Sequence, residues 1–224
     1  MSEAMTVETI VEAYWRLQGY WTKLRFSFQT ETRGWADIDV LAYHPEKKTL
    51  VISESKVRGP KKDVYAYTEY TRMKTRDIFE YDDAGYLSFL QYIKPICSKN
   101  IVFRNFRKMV NILIIQLVSN YYVDDEVLPK VQEDISKKIA DSIPKGIEAD
   151  IRLDTTIGVI SEIITLESTN PQGRRYGHPV IDIARELNRY FHPSIKYAGG
   201  GRTQTNAIKK KFRKIFMDSL MWIL

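Results

Sequence analysis

The chain has a single cysteine, Cys97, in 224 residues. One thiol excludes an internal disulfide and any cysteine-rich metal site, and Cys97 reads as an apolar filler. There are three histidines, His44, His178 and His192, too far apart to make a zinc-binding pattern. Glycine (11) and proline (8) are sparse, which excludes collagen-like and Pro/Gly-rich disordered classes. No apolar run is long enough to span a bilayer, and no segment has the charged-then-apolar build of a signal peptide. A Walker loop and a Gly-x-Ser-x-Gly elbow are both missing, and the glycines at 199–201 lack the spacing of a nucleotide loop. These absences lead to the expectation of a cytoplasmic protein without a membrane partner.

What is present is the composition of a folded domain, 44% hydrophobic and 28% charged. The net charge of +6 and the pI near 9.2 suit a polyanionic partner without requiring one. Residues 37–43 and 50–57 are both rich in β-branched and apolar side chains. The stretch from Pro45 to Lys48 between them is turn material, so the pair reads as a hairpin. Alternation puts Asp37 and Asp39 on one face of the first strand and Ile38, Val40 and Ala42 on the other. In the second strand Leu50, Ile52, Glu54 and Lys56 share a face. An apolar row that ends in an acid and a base is a local inconsistency of the kind that marks functional sites. Asp39 and Glu54 are hard oxygen ligands of the type Mg²⁺ prefers, and Lys56 could stabilise a phosphate or orient a water. On spacing alone, a solvated hairpin face with an ordinary Glu–Lys pair is the favoured reading.

Asp39, the turn, and then Glu54-Ser55-Lys56 ending an apolar strand resemble the signature of the PD-(D/E)XK nuclease superfamily. The layout is most similar to that of archaeal Holliday-junction resolvase-like nucleases. In those proteins a helix carrying a Glu leads through a Gly-aromatic step into the first strand. Residues 7–20 have that arrangement, with Glu8 matching the helix Glu through its distance to Gly19. The resemblance covers roughly the first half of the chain and departs where Asp37 stands and no Pro precedes Asp39. It implies an α/β protein with a restriction-endonuclease-like core, a mixed central β-sheet flanked by helices in αβββαβ order. That core would occupy residues 1–122, with a mostly helical C-terminal extension at 123–224 packed on it. By the same resemblance Asp39, Glu54, Lys56 and Glu8 are the catalytic set. Asp39, Glu54, the Ser55 carbonyl and Glu8 would be ligands of Mg²⁺ (or Mn²⁺). DNA is the implied partner, with RNA left open, and a homodimer suits symmetric paired cuts.

Along the chain, residues 6–18 show helical spacing, with Thr6 as the N-cap, Glu8 in the first turn and Gly19 closing the helix. Residues 20–30 read as the first strand. Arg25 and Arg33 lie next to the candidate site, where they could meet a phosphate backbone, and Trp35 reads as a hairpin-packing residue rather than a base-stacking one. A basic loop with Arg58, Lys61 and Lys62 follows Lys56. The segment 63–99 is helical in propensity and mixes tyrosines with Arg72 and Lys74, a composition that nucleic-acid faces and exposed surface segments share. Residues 110–118 are the most apolar run and read as a buried central strand reached by a helical crossover. Further on, a helix at 126–143, an edge strand at 147–153 and a helix capped by Asp154 and running to about Glu167 are expected, with a strand as the alternative for the last because its β-branched residues are frequent. A helix at 179–191 should bury Val180, Ile183, Ala184 and Leu187. A basic amphipathic helix at 203–224 ends the chain.

The function the resemblance implies is that of a Mg²⁺-dependent DNA endonuclease. Two rivals remain: a nuclease-fold protein that binds nucleic acid without cutting it, and an interaction scaffold acting through the terminal helix.

Overall fold

The computed structural model describes residues 3–29, 34–56, 93, 109–119, 128–169 and 177–191. The basic loop and helical segment at 57–108, apart from Ile93, and the terminal helix at 203–224 lie outside these residues. The elements are α1 (Glu3–Leu17), β1 (Trp21–Gln29), β2 (Trp35–His44), β3 (Thr49–Lys56), β4 (Ile112–Ser119), α2 (Leu128–Ile139), β5 (Glu148–Thr155), α3 (Thr156–Thr169) and α4 (Pro179–Phe191). A short 3-10 turn, Ala140–Ser142, follows α2. The strands form one mixed sheet in the order β1-β2-β3-β4-β5, so the protein is of the α/β class. β1, β2 and β3 run antiparallel as a meander, whereas β4 and β5 add in parallel. By compactness the chain divides into two units, Met1–Ile163 and Ile164–Leu224. The first contains the whole sheet, so the strand at 148–155, beyond residue 122, is part of it.

The hairpin forms where the sequence predicts it. Pro45 fixes one backbone angle of the turn, and the Lys48 N–H donates to the Pro45 carbonyl at 3.4 Å. β3 is the middle strand and β4 its inner neighbour. Every residue of β4 from Leu113 to Ser119 is buried, because a strand covered on both faces has no solvent side and shows no polar alternation.

One sheet face carries the main core. Leu41, Tyr43, Leu50, Ile52, Leu113, Ile115, Leu117, Ile151 and Leu153 form it with Ile135 and Ile139 of α2 and with Ile93, itself helical. On the other face lie Val40, Ala42, Val51, Ser53, Ile114 and Gln116, under α1. There α1 buries Val7, Ile10, Val11, Tyr14, Trp15 and Leu17, and Trp15 donates its indole N–H to the Gln116 amide oxygen at 2.9 Å.

Several expectations need correction. α1 starts at Glu3, so Thr6 lies inside the helix rather than at its cap, and Glu8 falls in the second turn rather than the first. Gly19 does close it: its φ of 87° favours glycine, and Gly19 and Tyr20 donate to the Arg16 and Trp15 carbonyls. At the start of α3 the capping group is the Thr155 hydroxyl, which accepts from the Gly158 N–H at 3.0 Å, while Asp154 belongs to β5. α4 buries Ile181 and Ala184, and Ile183 is 61% exposed, because its apolar face is turned from the expected one. In the second unit Arg185 donates to the buried Glu167 at 2.6 Å, and His178 is buried just ahead of α4.

Candidate functional site

Asp39 and Glu54 stand on the neighbouring strands β2 and β3. The β2–β3 register runs from His44 opposite Thr49 to Val40 opposite Ser53, and Asp39 and Glu54 are the next residues of their strands beyond it. Asp39 is fixed there from β3. The Ser55 backbone N–H donates to its Oδ2 at 2.7 Å, and the Ser55 hydroxyl donates to the same oxygen at 2.8 Å. Short bonds to a carboxylate are among the stronger protein hydrogen bonds, so they hold this acid in one orientation. Glu54 is half-buried and engaged in the local network. Lys56 is the last residue of β3, two positions beyond Glu54 and opposite Ser119 of β4. Its side chain lies outside the described residues.

The sheet is irregular at this point. β1 and β2 pair at every position from Trp21 to Gln29 except Arg25, which faces Asp39 across the ladder. Arg25 has φ 47°, a conformation uncommon for a side-chain-bearing residue and rarer still inside a strand. The side-chain alternation of β2 changes phase beside it. Ile38 joins the same core cluster as Leu41 and Tyr43, whereas Val40 and Ala42 do not. The expected shared face of Ile38, Val40 and Ala42 is therefore broken at Asp39.

The turned backbone aims Arg25 at α1. Its Nε donates to Glu8 Oε2 at 3.0 Å and its Nη2 to Glu8 Oε1 at 3.1 Å, a two-pronged ion pair. The Glu8 side chain is only 6% exposed, and that of Arg25 is 51% exposed. The hydrogen bond to Glu8, and then the charge of Glu8, raise the Arg25 pKa; Asp39 and Asp37 push the same way. Arg25 thus sits in the combined field of three carboxylates. Sequence reasoning assigned it to phosphate contacts and missed the pairing with Glu8, because a strand with regular alternation does not announce it.

A resident divalent ion was tested against this donor set. Among the described residues no group of three His, Cys, Asp or Glu side chains converges on a point that could hold a metal. Mg²⁺ commonly takes one or two carboxylates and completes its shell with water and substrate phosphate, so Asp39 and Glu54 supply donors of the right chemistry. Glu8 does not fit as a third ligand in this arrangement, since its two oxygens are engaged by Arg25. Ser55 meets Asp39 through its N–H and hydroxyl; it was expected as a carbonyl ligand.

Of the other residues singled out, Trp35 is 74% exposed, so it does not pack within the hairpin as expected. Arg33, Arg58, Lys61, Lys62, Arg72 and Lys74 lie outside the described residues.

A second polar centre, unforeseen from the sequence, lies under the C-terminal half of α1. The Trp15 indole donates to Gln116, whose amide donates to Asp154 Oδ2 at 2.7 Å. Burial raises the Asp154 pKa, Glu162 and Asp150 add to the shift, and the Gln116 hydrogen bond and Arg152 oppose it. Nearby, burial and then a hydrogen bond to Glu162 hold the Tyr14 phenol well above its ordinary range. At the end of the sheet where β3, β4 and β5 begin, a cleft of about 400 Å³ is lined by Trp15, Tyr20, Lys47, Asp150 and Arg152, among others. Its cations already have company: Lys47 lies 5.6 Å from the Tyr20 ring centre, Arg152 lies 5.6 Å from that of Trp15, and Arg152 also donates to Asp150 at 2.8 Å.

No protein-family model, curated protein or solved structure matches the chain. Among the described residues, no helix is long and apolar enough to cross a membrane.

Proposed function

We propose that the chain is a Mg²⁺-dependent (or Mn²⁺-dependent) endonuclease that hydrolyses phosphodiester bonds in DNA, built on a restriction-endonuclease-like core. The observation that carries this reading is Asp39, pinned from β3 by Ser55, the residue between Glu54 and Lys56. The element order adds support: a helix with an inward Glu, a three-stranded meander, then parallel strands. Basic net charge suits the polyanion.

In this reading Asp39 and Glu54 would hold the cation. When bound, such an ion polarises a phosphoryl oxygen and favours ionisation of an attacking water. Ser55 keeps Asp39 from rotating, so the acid is positioned before substrate arrives. Lys56 would orient the water or receive its proton, and would offset negative charge building on the phosphorus oxygens.

The test is plasmid nicking with Mg²⁺ by the wild type and by Asp39→Ala, Glu54→Ala and Lys56→Ala, each checked for retained fold by circular dichroism. Loss on the order of 10³-fold is expected for each acid. Wild-type rates in any of the three folded variants would sink the assignment. Metal-independent DNA binding without cutting would instead favour the non-cleaving rival, and selective cleavage of RNA would move the substrate class.

A further inference from the structure

We infer that Arg25 is a resident counter-ion that keeps Glu8 out of the proposed metal site, so that a divalent cation and this guanidinium compete for the same carboxylate. The inference rests on the reading of Asp39 and Glu54 as cation ligands and names how that site is regulated.

Three observations converge on it. Glu8 is buried, and a buried carboxylate needs a partner; the two donors of Arg25 supply one. The guanidinium is about half exposed, so it can leave Glu8 for solvent without disturbing the core. Finally, the backbone holds an uncommon conformation at Arg25, at the one position from Trp21 to Gln29 where β1 and β2 do not pair, directly across from Asp39. Strain kept at such a place has a use when the residue has two arrangements. With Arg25 on Glu8, a divalent ion at Asp39 meets a neighbouring positive charge. With Arg25 swung away, Glu8 becomes a third oxygen donor and the repulsion is gone. The departing guanidinium is then free to meet a phosphate of the bound strand, for which its fork is well shaped.

The experiment is Mn²⁺ titration of the full chain, followed by electron paramagnetic resonance of the free ion, without nucleic acid. Arg25→Gln is expected to bind Mn²⁺ about tenfold tighter than the wild type. Arg25→Gln combined with Glu8→Gln should lose most of that gain, because Glu8 supplies the third donor, and keep only the part due to the removed positive charge. Affinity in Arg25→Gln that is equal to or weaker than wild type would overturn the inference, as would a gain that is undiminished in the double variant. If Arg25→Gln fails to fold, Arg25→Lys keeps a charge but loses the two-pronged grip. It should give a smaller gain, and an unchanged constant there would overturn the idea equally. Asp39→Asn separates the two claims. If it leaves Mn²⁺ binding intact, the metal-site reading itself fails; if it abolishes binding while Arg25→Gln changes nothing, only the competition is lost.

Discussion

Two polar centres lie under α1 and are built in opposite ways. Toward the helix start, Glu8 meets Arg25 in a charged pair whose cation is half in solvent and stands on an edge strand. Toward its end, Trp15, Gln116 and Asp154 make a chain of hydrogen bonds in which the indole and the amide are fully buried in the middle of the sheet. Separating the partners of the first moves one half-exposed side chain, and a cation that replaces it can still satisfy the buried Glu8. Breaking the second strands buried donors and acceptors that have no water to turn to. The comparison teaches which centre can change state and which can only hold. Rearrangement belongs at Arg25, and structural tension belongs at Gln116.

The sharpest contrast should come from Asp39→Ala against Gln116→Leu. The first is expected to remove nicking on the order of 10³-fold with little change in melting temperature. The second should leave the proposed site intact but lower stability by about 3 kcal/mol, since both Trp15 Nε1 and Asp154 lose their partner. Thermal unfolding would show this as a fall on the order of 5–10 °C. If Gln116→Leu abolishes cleavage at unchanged stability, the division between the two centres is wrong.

A smaller effect sharpens the second centre. The Asp154 pKa is raised in the folded protein, so the native state holds this proton more tightly than the unfolded chain does. The stability this provides is present below the ordinary carboxylate pKa and is lost as pH rises through the raised native value. Asp154→Asn is neutral throughout and keeps an oxygen for Gln116. Its stability relative to wild type should therefore climb as pH rises across the acid range and then level off. Urea midpoints taken from pH 3 to pH 7 would read this; parallel curves for the two proteins would contradict it.

The smallest effect is expected at Trp35. At 74% exposed it contributes little to the fold, and Trp35→Ala should change the unfolding free energy by no more than about 0.5 kcal/mol. A larger loss would mean that the hairpin does depend on this ring.

The hairpin was legible from the sequence because its signals are local. Pro45 to Lys48 marks the turn, and Val40 to Tyr43 and Leu50 to Ile52 are unmistakably strand-like. The strand at 112–119 was equally readable, since a run buried on both faces needs no periodicity to be recognised. What escaped depends on features that are not periodic. The Arg25–Glu8 pair follows from one residue with positive φ, which no alternation rule anticipates in a non-glycine strand position. Trp15 and Gln116 are 101 residues apart, and their bond exists only once α1 lies across β4. On α4, Ile181, Ile183 and Val180 are similar side chains close in sequence, so the inward stripe was ambiguous until tertiary packing chose Ile181.

Strand order also gives the site a mechanical asymmetry. β2 and β3, which bear Asp39 and Glu54, are each gripped by a neighbour on either side, whereas β1, which bears Arg25, is hydrogen-bonded along one margin only among the described residues. Stiffness is therefore greatest beneath the acids and least beneath the base. The two carboxylates stand on strands held from both sides, while Arg25 stands on a strand whose displacement leaves the other four paired.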